Sequence, residues 1–359
     1  MKVLHTEWSD GWGGQEIRII GEMKAMRALG VELALACSHE AKINAAAREA
    51  GFEVFELPFR GSFDLTTFWG LVRIIKRFKF EIVNTHSGKD TWVGGLAAKC
   101  AGAKFIRTRH LSSRINPSRL NFINSLADFI ITTGEGVRED MIKYNRIAPE
   151  KIRSIPTGAD ESVFDPALYD RETCRAEFGF ARDATVVGAL AVLRGLKRHD
   201  IFLRCALRLH ERFPNAVFAI AGEGPMRPAH EKFIAEHDMA SYAKLVGHTS
   251  EPGKFLAAID IFALTSEKEG VPQSVMQALL MRVPTVATDV GSVSDLFDGN
   301  NFALVDFDEE AIFAALEDLL AHPQKLAALR ANEQKFVREN FTQKVMAARV
   351  LEIYKSLLG

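Results

Sequence analysis

No run of about 18 apolar residues that could span a bilayer occurs in this chain. The start, Met1-Lys2-Val3-Leu4-His5, enters the polar segment Glu7-Trp8-Ser9-Asp10 without a signal-peptide core, so any membrane association is expected to be peripheral. The four cysteines, Cys37, Cys100, Cys174 and Cys205, are far apart and show no Cys-x-x-Cys spacing. That spacing predicts neither a zinc site nor a disulfide framework and fits a reducing cytoplasm. Excess charge is also missing: 45 Lys and Arg stand against 46 Asp and Glu, so nucleic acid is not an expected partner. The dinucleotide fingerprint Gly-x-Gly-x-x-Gly is absent. Its nearest approach, Gly222-Glu223-Gly224-Pro225, continues Met226-Arg227, which argues against a nicotinamide-dependent redox enzyme.

What is present is a repeated rhythm. Short apolar runs at Glu32–Ala36, Glu53–Leu57, Glu81–Asn84, Lys104–Arg107, Phe129–Thr132 and Arg153–Ile155 read as strands separated by amphipathic segments. After the turn-rich stretch 158–175 the rhythm restarts at Thr185–Leu190, Ala216–Ile220, Lys244–Val246, Ile261–Leu264 and Thr285–Thr288. Strand-helix alternation predicts parallel, doubly wound sheets with ligands at the carboxyl ends of the strands. The 359 residues exceed what one core usually serves, so the expected fold is α/β with two Rossmann-like domains facing a central cleft. The first domain is placed at 1–166 and the second at 167–341. A last helix, 342–359, carries an apolar stripe (Val345, Ala348, Val350, Leu351, Tyr354) and is expected to pack back on the first domain.

Four groups of residues could carry chemistry. Gly13 and Gly14 lead from the first strand into the helical segment Ile17–Leu29, where backbone N–H groups can approach an anion. Arg194 and Lys197 follow the first strand of the second half at a helix start. Cations are unfavourable there unless an anion joins them, which suits a diphosphate leaving group. Glu269 stands before Gly270-Val271-Pro272, a turn that begins a helix, so a carboxylate and backbone N–H groups converge at one strand end. Gln277, two turns further, is a polar residue on an apolar helix and needs partners. His110, and less so His86, follows a strand end and could face the cleft, although a lone histidine is more often structural.

In order and spacing these positions resemble glycosyltransferase family 4 over almost the whole chain. The resemblance rests on Gly13-Gly14-Gln15-Glu16, on Ile155 to Asp160 with Phe164, and on Arg194 with Lys197. It continues through Gly222 to Pro225, Gly247-His248, Ala257 to Asp260, Glu269 and Pro284 to Gly291. It implies a retaining enzyme of GT-B fold that needs neither metal nor cofactor. The second domain would hold a nucleotide-diphosphate sugar of UDP or GDP type, and the first a glycan or lipid-linked acceptor. It further implies Arg194 and Lys197 on the diphosphate, with Gly13, Gly14 and Gly222 lining the donor site. Glu269, with Gly270 and Val271, would meet the donor sugar, and His110 would lie beside the transferred sugar. The sequence departs from the family where a second glutamate is usual and Gln277 stands; an amide can still accept from ribose hydroxyls, about 1 kcal/mol more weakly.

The surface polysaccharides and lipopolysaccharide of bacteria are the expected products. Between Arg60 and Arg119, twelve Lys and Arg face three acids, and the segment Trp69–Phe80 is basic and amphipathic. Both favour the cytoplasmic face of an anionic inner membrane. A nucleotide-sugar 2-epimerase and a catalytically silent nucleotide-sugar binder are the alternatives of the same architecture; an epimerase would need no acceptor.

Overall fold

The computed structural model describes residues 1–110, 115 and 122–359, and Arg114 and Arg119 of the basic cluster lie outside them. The described chain divides into two compact units, Met1–Gly158 with Gln343–Gly359, and Ala159–Thr342.

The first unit is built on strands β1 (Lys2–Glu7), β2 (Glu32–Cys37), β3 (Glu53–Glu56), β4 (Ile82–Thr85), β5 (Lys104–Arg109), β6 (Phe129–Thr132) and β7 (Ile152–Ser154). Every pairing is parallel, in the order β3-β2-β1-β4-β5-β6-β7. Successive residues on a strand point to opposite faces, and both faces are apolar. Leu4, Val83 and Phe105 enter one core, while their neighbours Val3, Ile82 and Ile106 enter another. The latter is completed by Met346, Ala347, Val350 and Tyr354 of the helix Gln343–Leu358. That helix is anchored further where Asn84 Nδ2 donates to the buried Tyr354 hydroxyl at 2.8 Å.

The second unit repeats the scheme with β8 (Thr185–Leu190), β9 (Ala216–Ala221), β10 (Ala243–Gly247), β11 (Ile261–Leu264), β12 (Thr285–Thr288) and β13 (Ala303–Val305). The order is β10-β9-β8-β11-β12-β13, again all parallel. Val186, Phe262 and Ala287 fill one core and Val187, Ala263 and Val286 the other. A polar anchor sits at Asp260, which accepts from Arg171 at 2.5 Å, Arg175 at 3.1 Å and the Val186 N–H at 2.9 Å.

Both sheets are doubly wound, and the expected strands agree with the observed ones to within two residues at each end. One strand was not anticipated: β13 spans only Ala303–Val305, too short to show a period. The domain boundary placed at 166 moves to Gly158 and Ala159. The reason is physical: the Ala159 N–H donates to Phe341 O at 2.8 Å, and Ala159 and Phe164 are buried in the second unit's core. Among the described residues no helix is long and apolar enough to cross a membrane.

Candidate functional site

Strand order reverses between β8 and β11 in the second unit, and such a reversal opens a crevice at the carboxyl ends of the two strands. Arg194 and Lys197 follow β8, and Glu269 follows β11. Lys197 Nζ donates to Glu269 Oε1 at 2.6 Å across that point, with the carboxylate only 9% exposed and the ammonium 27%. The loops are tied together below the pair: Thr265 Oγ1 donates to Lys197 O at 3.1 Å and Arg198 O at 3.0 Å, and the Glu267 N–H to Leu196 O at 2.9 Å. Arg194 is exposed and, among the described residues, has no carboxylate partner. The helix His199–Arg212 opens beside them. Two cations and a helix N-terminus at one strand end can attract an anion, and the partly buried carboxylate beside them can accept hydroxyl donors.

Glycines set the shape of these loops. Gly222 and Gly224 have φ of 151° and 157°, and a Cβ at either would run into the carbonyl of Ala191 or Leu193. The contact is reinforced by Leu193 N–H to Glu223 O at 3.0 Å and Met226 N–H to Leu193 O at 2.9 Å. Gly222 therefore positions the backbone that leads to Arg194. Gly291 does the same for Glu269: at φ 61° a Cβ would strike the Glu269 carbonyl. Gly270, by contrast, has nothing within 4 Å of its would-be Cβ, so packing does not demand a glycine there. Val271 is half-buried against the second unit's core. Gln277 is the fifth residue of the helix Gln273–Leu280, half-buried, and its amide has no hydrogen-bond partner among the described residues.

In the first unit the order reverses between β1 and β4. Gly13 precedes the helix Gly14–Ala28, and its N–H is already taken by Glu16 Oε2 at 2.8 Å, so at this position a capping carboxylate occupies the donor expected for an anion. Gly14 is the first residue of that helix. His110 stands just beyond β5 and is half-buried. Its Nε2 lies 3.0 Å from His86 Nδ1, and His86 Nε2 lies 2.8 Å from His5 Nδ1. Burial holds all three rings well below the usual imidazole range, His5 at about 3. Each neutral ring owns one N–H, so both hydrogen bonds must run in the same direction. The tautomer of His110 is thereby tied to that of His5.

A second buried group at the same strand ends has no counterpart in the sequence reading. Glu7 accepts from the Trp8 and Ser9 N–H groups at 2.9 and 2.8 Å, and Asp90 from Thr6 Oγ1 at 2.8 Å and the His86 N–H at 2.9 Å. Ser87 Oγ lies 3.0 Å from Glu7 and 2.5 Å from Asp90. One hydroxyl has a single proton for two carboxyl groups, an arrangement that a proton on either carboxyl would complete. Burial, then repulsion from Asp90, pushes Glu7 up to about 8. The available signal was Asp90 in the first turn after β4 with Ser87 at the cap; the burial of Glu7 had none.

Two family models match, "Glycosyltransferase Family 4" over residues 12–163 and "Glycosyl transferases group 1" over residues 181–322. Among curated proteins the chain is similar to the Escherichia coli UDP-Gal:alpha-D-GlcNAc-diphosphoundecaprenol alpha-1,3-galactosyltransferase, 26% identical over 263 residues and 68% of each chain. Among solved structures it resembles a glycosyltransferase from Rickettsia africae, with a TM-score of 0.89, 18% identity and coverage of 99% of this chain and 98% of that one. It also resembles Anabaena HepE in complex with UDP, with a TM-score of 0.86, 19% identity and coverage of 99% and 100%.

Proposed function

Because the chain belongs to glycosyltransferase family 4 and has the GT-B fold, we propose that it moves a hexose from a nucleotide-diphosphate sugar to a hydroxyl of a glycan or lipid-linked acceptor. The observation that carries this reading is the Lys197–Glu269 pair at the reversal point of the second unit, with Arg194 beside it. In this reading the two cations meet the charge that grows on the leaving diphosphate, in place of a metal or cofactor, while Glu269 and the Gly270-Val271 backbone hold the donor sugar. UDP is the favoured nucleotide, supported by the UDP-bound neighbour and the UDP-galactose-using relative. Gln277 accepts from the ribose. Transfer proceeds with retention, the departing phosphate taking the acceptor proton, and the acceptor belongs to a bacterial surface polysaccharide or lipopolysaccharide. The first unit supplies the acceptor side, including His110.

The test is a thermal-shift screen of UDP, GDP, ADP and their sugar conjugates, followed by product analysis with and without acceptor. A ligand that binds only the folded chain raises its melting temperature by mass action. UDP compounds are expected to give the largest shift, and Arg194→Ala with Lys197→Ala to remove it. Turnover of donor into an isomeric donor without acceptor would replace this reading with an epimerase, and binding without any transfer or hydrolysis would replace it with a silent binder.

We also place the enzyme on the cytoplasmic face of an anionic membrane. The helix Leu65–Phe78 supports this, with Leu71, Val72 and Ile75 buried and Arg73, Lys76 and Arg77 on the same element without an acid. Exposed Phe63, Leu65 and Trp69 lie at its start. Co-sedimentation with vesicles containing acidic lipid is expected at low salt and is expected to fail with neutral lipid. Equal recovery with both would remove the electrostatic part of this placement.

A further inference from the structure

Three histidines in the first unit form one hydrogen-bonded row, of which the reaction described above uses only the last. His5 lies in β1, His86 follows β4 and His110 follows β5, so the row crosses three neighbouring strands of the sheet. The His5 and His86 rings are stacked, with centroids 5.1 Å apart and planes 9° from parallel, and the His110 ring lies 5.2 Å from that of His86. His5 is wholly buried and His86 nearly so, whereas His110 is half-buried. The middle of the row is pinned through its backbone. The His86 N–H donates to Asp90 Oδ2 at 2.9 Å, and the same oxygen accepts at 2.8 Å from Thr6 Oγ1, in the residue after His5.

The row carries no ring charge. Desolvation, foremost, and then the charges of Arg18 and Arg109 keep His110 neutral, and burial does the same for His5 and His86. His86 spends both nitrogens on its neighbours, Nε2 at 2.8 Å from His5 Nδ1 and Nδ1 at 3.0 Å from His110 Nε2. Such a row has only two states, with all its N–H groups pointing toward His5 or all toward His110. The far nitrogen of His5, Nε2, decides between them, because it is buried and has no hydrogen-bond partner among the described residues. Protons pointing toward His5 would leave an N–H at that nitrogen with no acceptor. Protons pointing toward His110 leave only a bare lone pair there, and buried N–H groups without an acceptor are the rarer fault. Arg18, the stronger of the two cations on His110, would draw lone pairs toward itself, but Glu22 offsets it at 3.5 Å on the same helix.

We propose that His5 and His86 are positioning residues that hold His110 in its Nδ1–H form, so that His110 meets the substrate as a hydrogen-bond donor and not as a base. Its Nε2 is spent on accepting from His86. Its Nδ1 has no hydrogen-bond partner among the described residues and is the nitrogen left for a ligand. The group that fits it is an oxygen with a free lone pair, in a hydroxyl, carbonyl or phosphate; an ammonium, which only donates, does not fit. The proposal rests on the transfer reading above for the word substrate; the tautomer stands by itself.

The test reads the tautomer directly, in the full chain labelled with nitrogen-15 at histidine. Long-range proton–nitrogen correlations distinguish a protonated ring nitrogen from a bare one, and the signals lost in His110→Asn identify His110. The wild type is expected to carry its His110 proton on Nδ1 near neutral pH. His5→Phe, which removes the first donor of the row, should give a mixture of both tautomers. It should also lower kcat for transfer by about tenfold, with the donor KM changed less than about twofold. His5→Asn, whose Nδ2 can donate from the place of the lost Nδ1, should return most of both. A proton on Nε2 of His110 in the wild type overturns the proposed direction, and this spectrum decides it even where a buried variant fails to fold. A His110 tautomer unaltered in His5→Phe, or a kcat unaltered, overturns control by His5. A loss of kcat that His5→Asn does not restore, in a chain whose UDP-induced thermal shift is intact, overturns the positioning role as well. A wild-type chain that shows the expected tautomer but transfers sugar to no hydroxyl supports the row and overturns the transfer reading instead.

Discussion

Replacing Lys197 with alanine is expected to lower kcat/KM for sugar transfer by about 10²–10³, the usual loss when one group aimed at developing transition-state charge is removed. The effect has two sources. In the proposed reaction the leaving diphosphate loses a cation, and Glu269 loses the partner that sits 2.6 Å away while remaining 9% exposed. Removing one partner of a nearly buried ion pair is destabilising, so the variant is damaged on both sides of the pair. Glu269→Gln separates the two: it keeps Lys197 free for phosphate, so UDP binding should hold while transfer falls. Gln277→Glu bears on the same donor in the opposite direction. A charged acceptor on ribose should tighten UDP binding by about tenfold at most and leave kcat nearly unchanged. Initial-rate measurements with calorimetric UDP titration check all three. A loss below about threefold for Lys197→Ala would remove it from the reaction, and an unchanged UDP affinity for Gln277→Glu would remove the ribose assignment.

Glu7→Gln is expected to stabilise the chain progressively as pH rises from 5 to 8. In the folded state Glu7 sits at about 8 against an ordinary value of 4.5, because burial and the Asp90 charge disfavour its ionised form. Between those values the folded state holds a proton that the unfolded state has lost, so the group's contribution to stability falls as pH climbs and levels off above 8. The effect is on the order of a few kcal/mol, and roughly 2–4 °C of melting temperature per kcal/mol for a unit of this size. Glutamine keeps a carbonyl for the Trp8 and Ser9 N–H groups and the Ser87 hydroxyl, and its own N–H faces Gln15, whose amide has to turn over to accept it. The histidines His5, His86 and His110, whose charged forms desolvation disfavours, act with the opposite sign below about pH 6.5, since there only the unfolded state takes up protons. The quantity to follow is therefore the difference in melting temperature between variant and wild type. A difference that is flat or shrinks with rising pH would mean that Glu7 is ionised in the folded chain.

Much of the candidate donor region was legible before any coordinates. Arg194, Lys197 and Glu269 each follow an apolar run of strand length and precede a helical segment, so each could be assigned to a strand's carboxyl end. Gly222 was visible as a turn, but its use was not: only the backbone contact with Ala191 shows that it shapes a neighbouring loop. Gly291 was visible in the same way, with no hint that it makes room for the Glu269 carbonyl. The first unit was less readable. His110 and His86 could be picked out as strand-end histidines, but His5 lies within β1 and joins them only through the β1–β4 pairing. Glu7 and Asp90 are separated by 83 positions, and nothing local marks Glu7 as buried.

Local pattern determined that this chain forms two parallel, doubly wound sheets, because the alternation of strand-length apolar runs with amphipathic segments leaves few other ways to bury both faces of each strand. It also determined which residues stand at strand ends, since those positions follow from the runs themselves. Which of these residues act together was decided by strand order alone. The order reverses between β8 and β11 and between β1 and β4, bringing Lys197 to Glu269 and His5 to His86. Such neighbours are 72 and 81 positions apart, and no periodicity reaches that far.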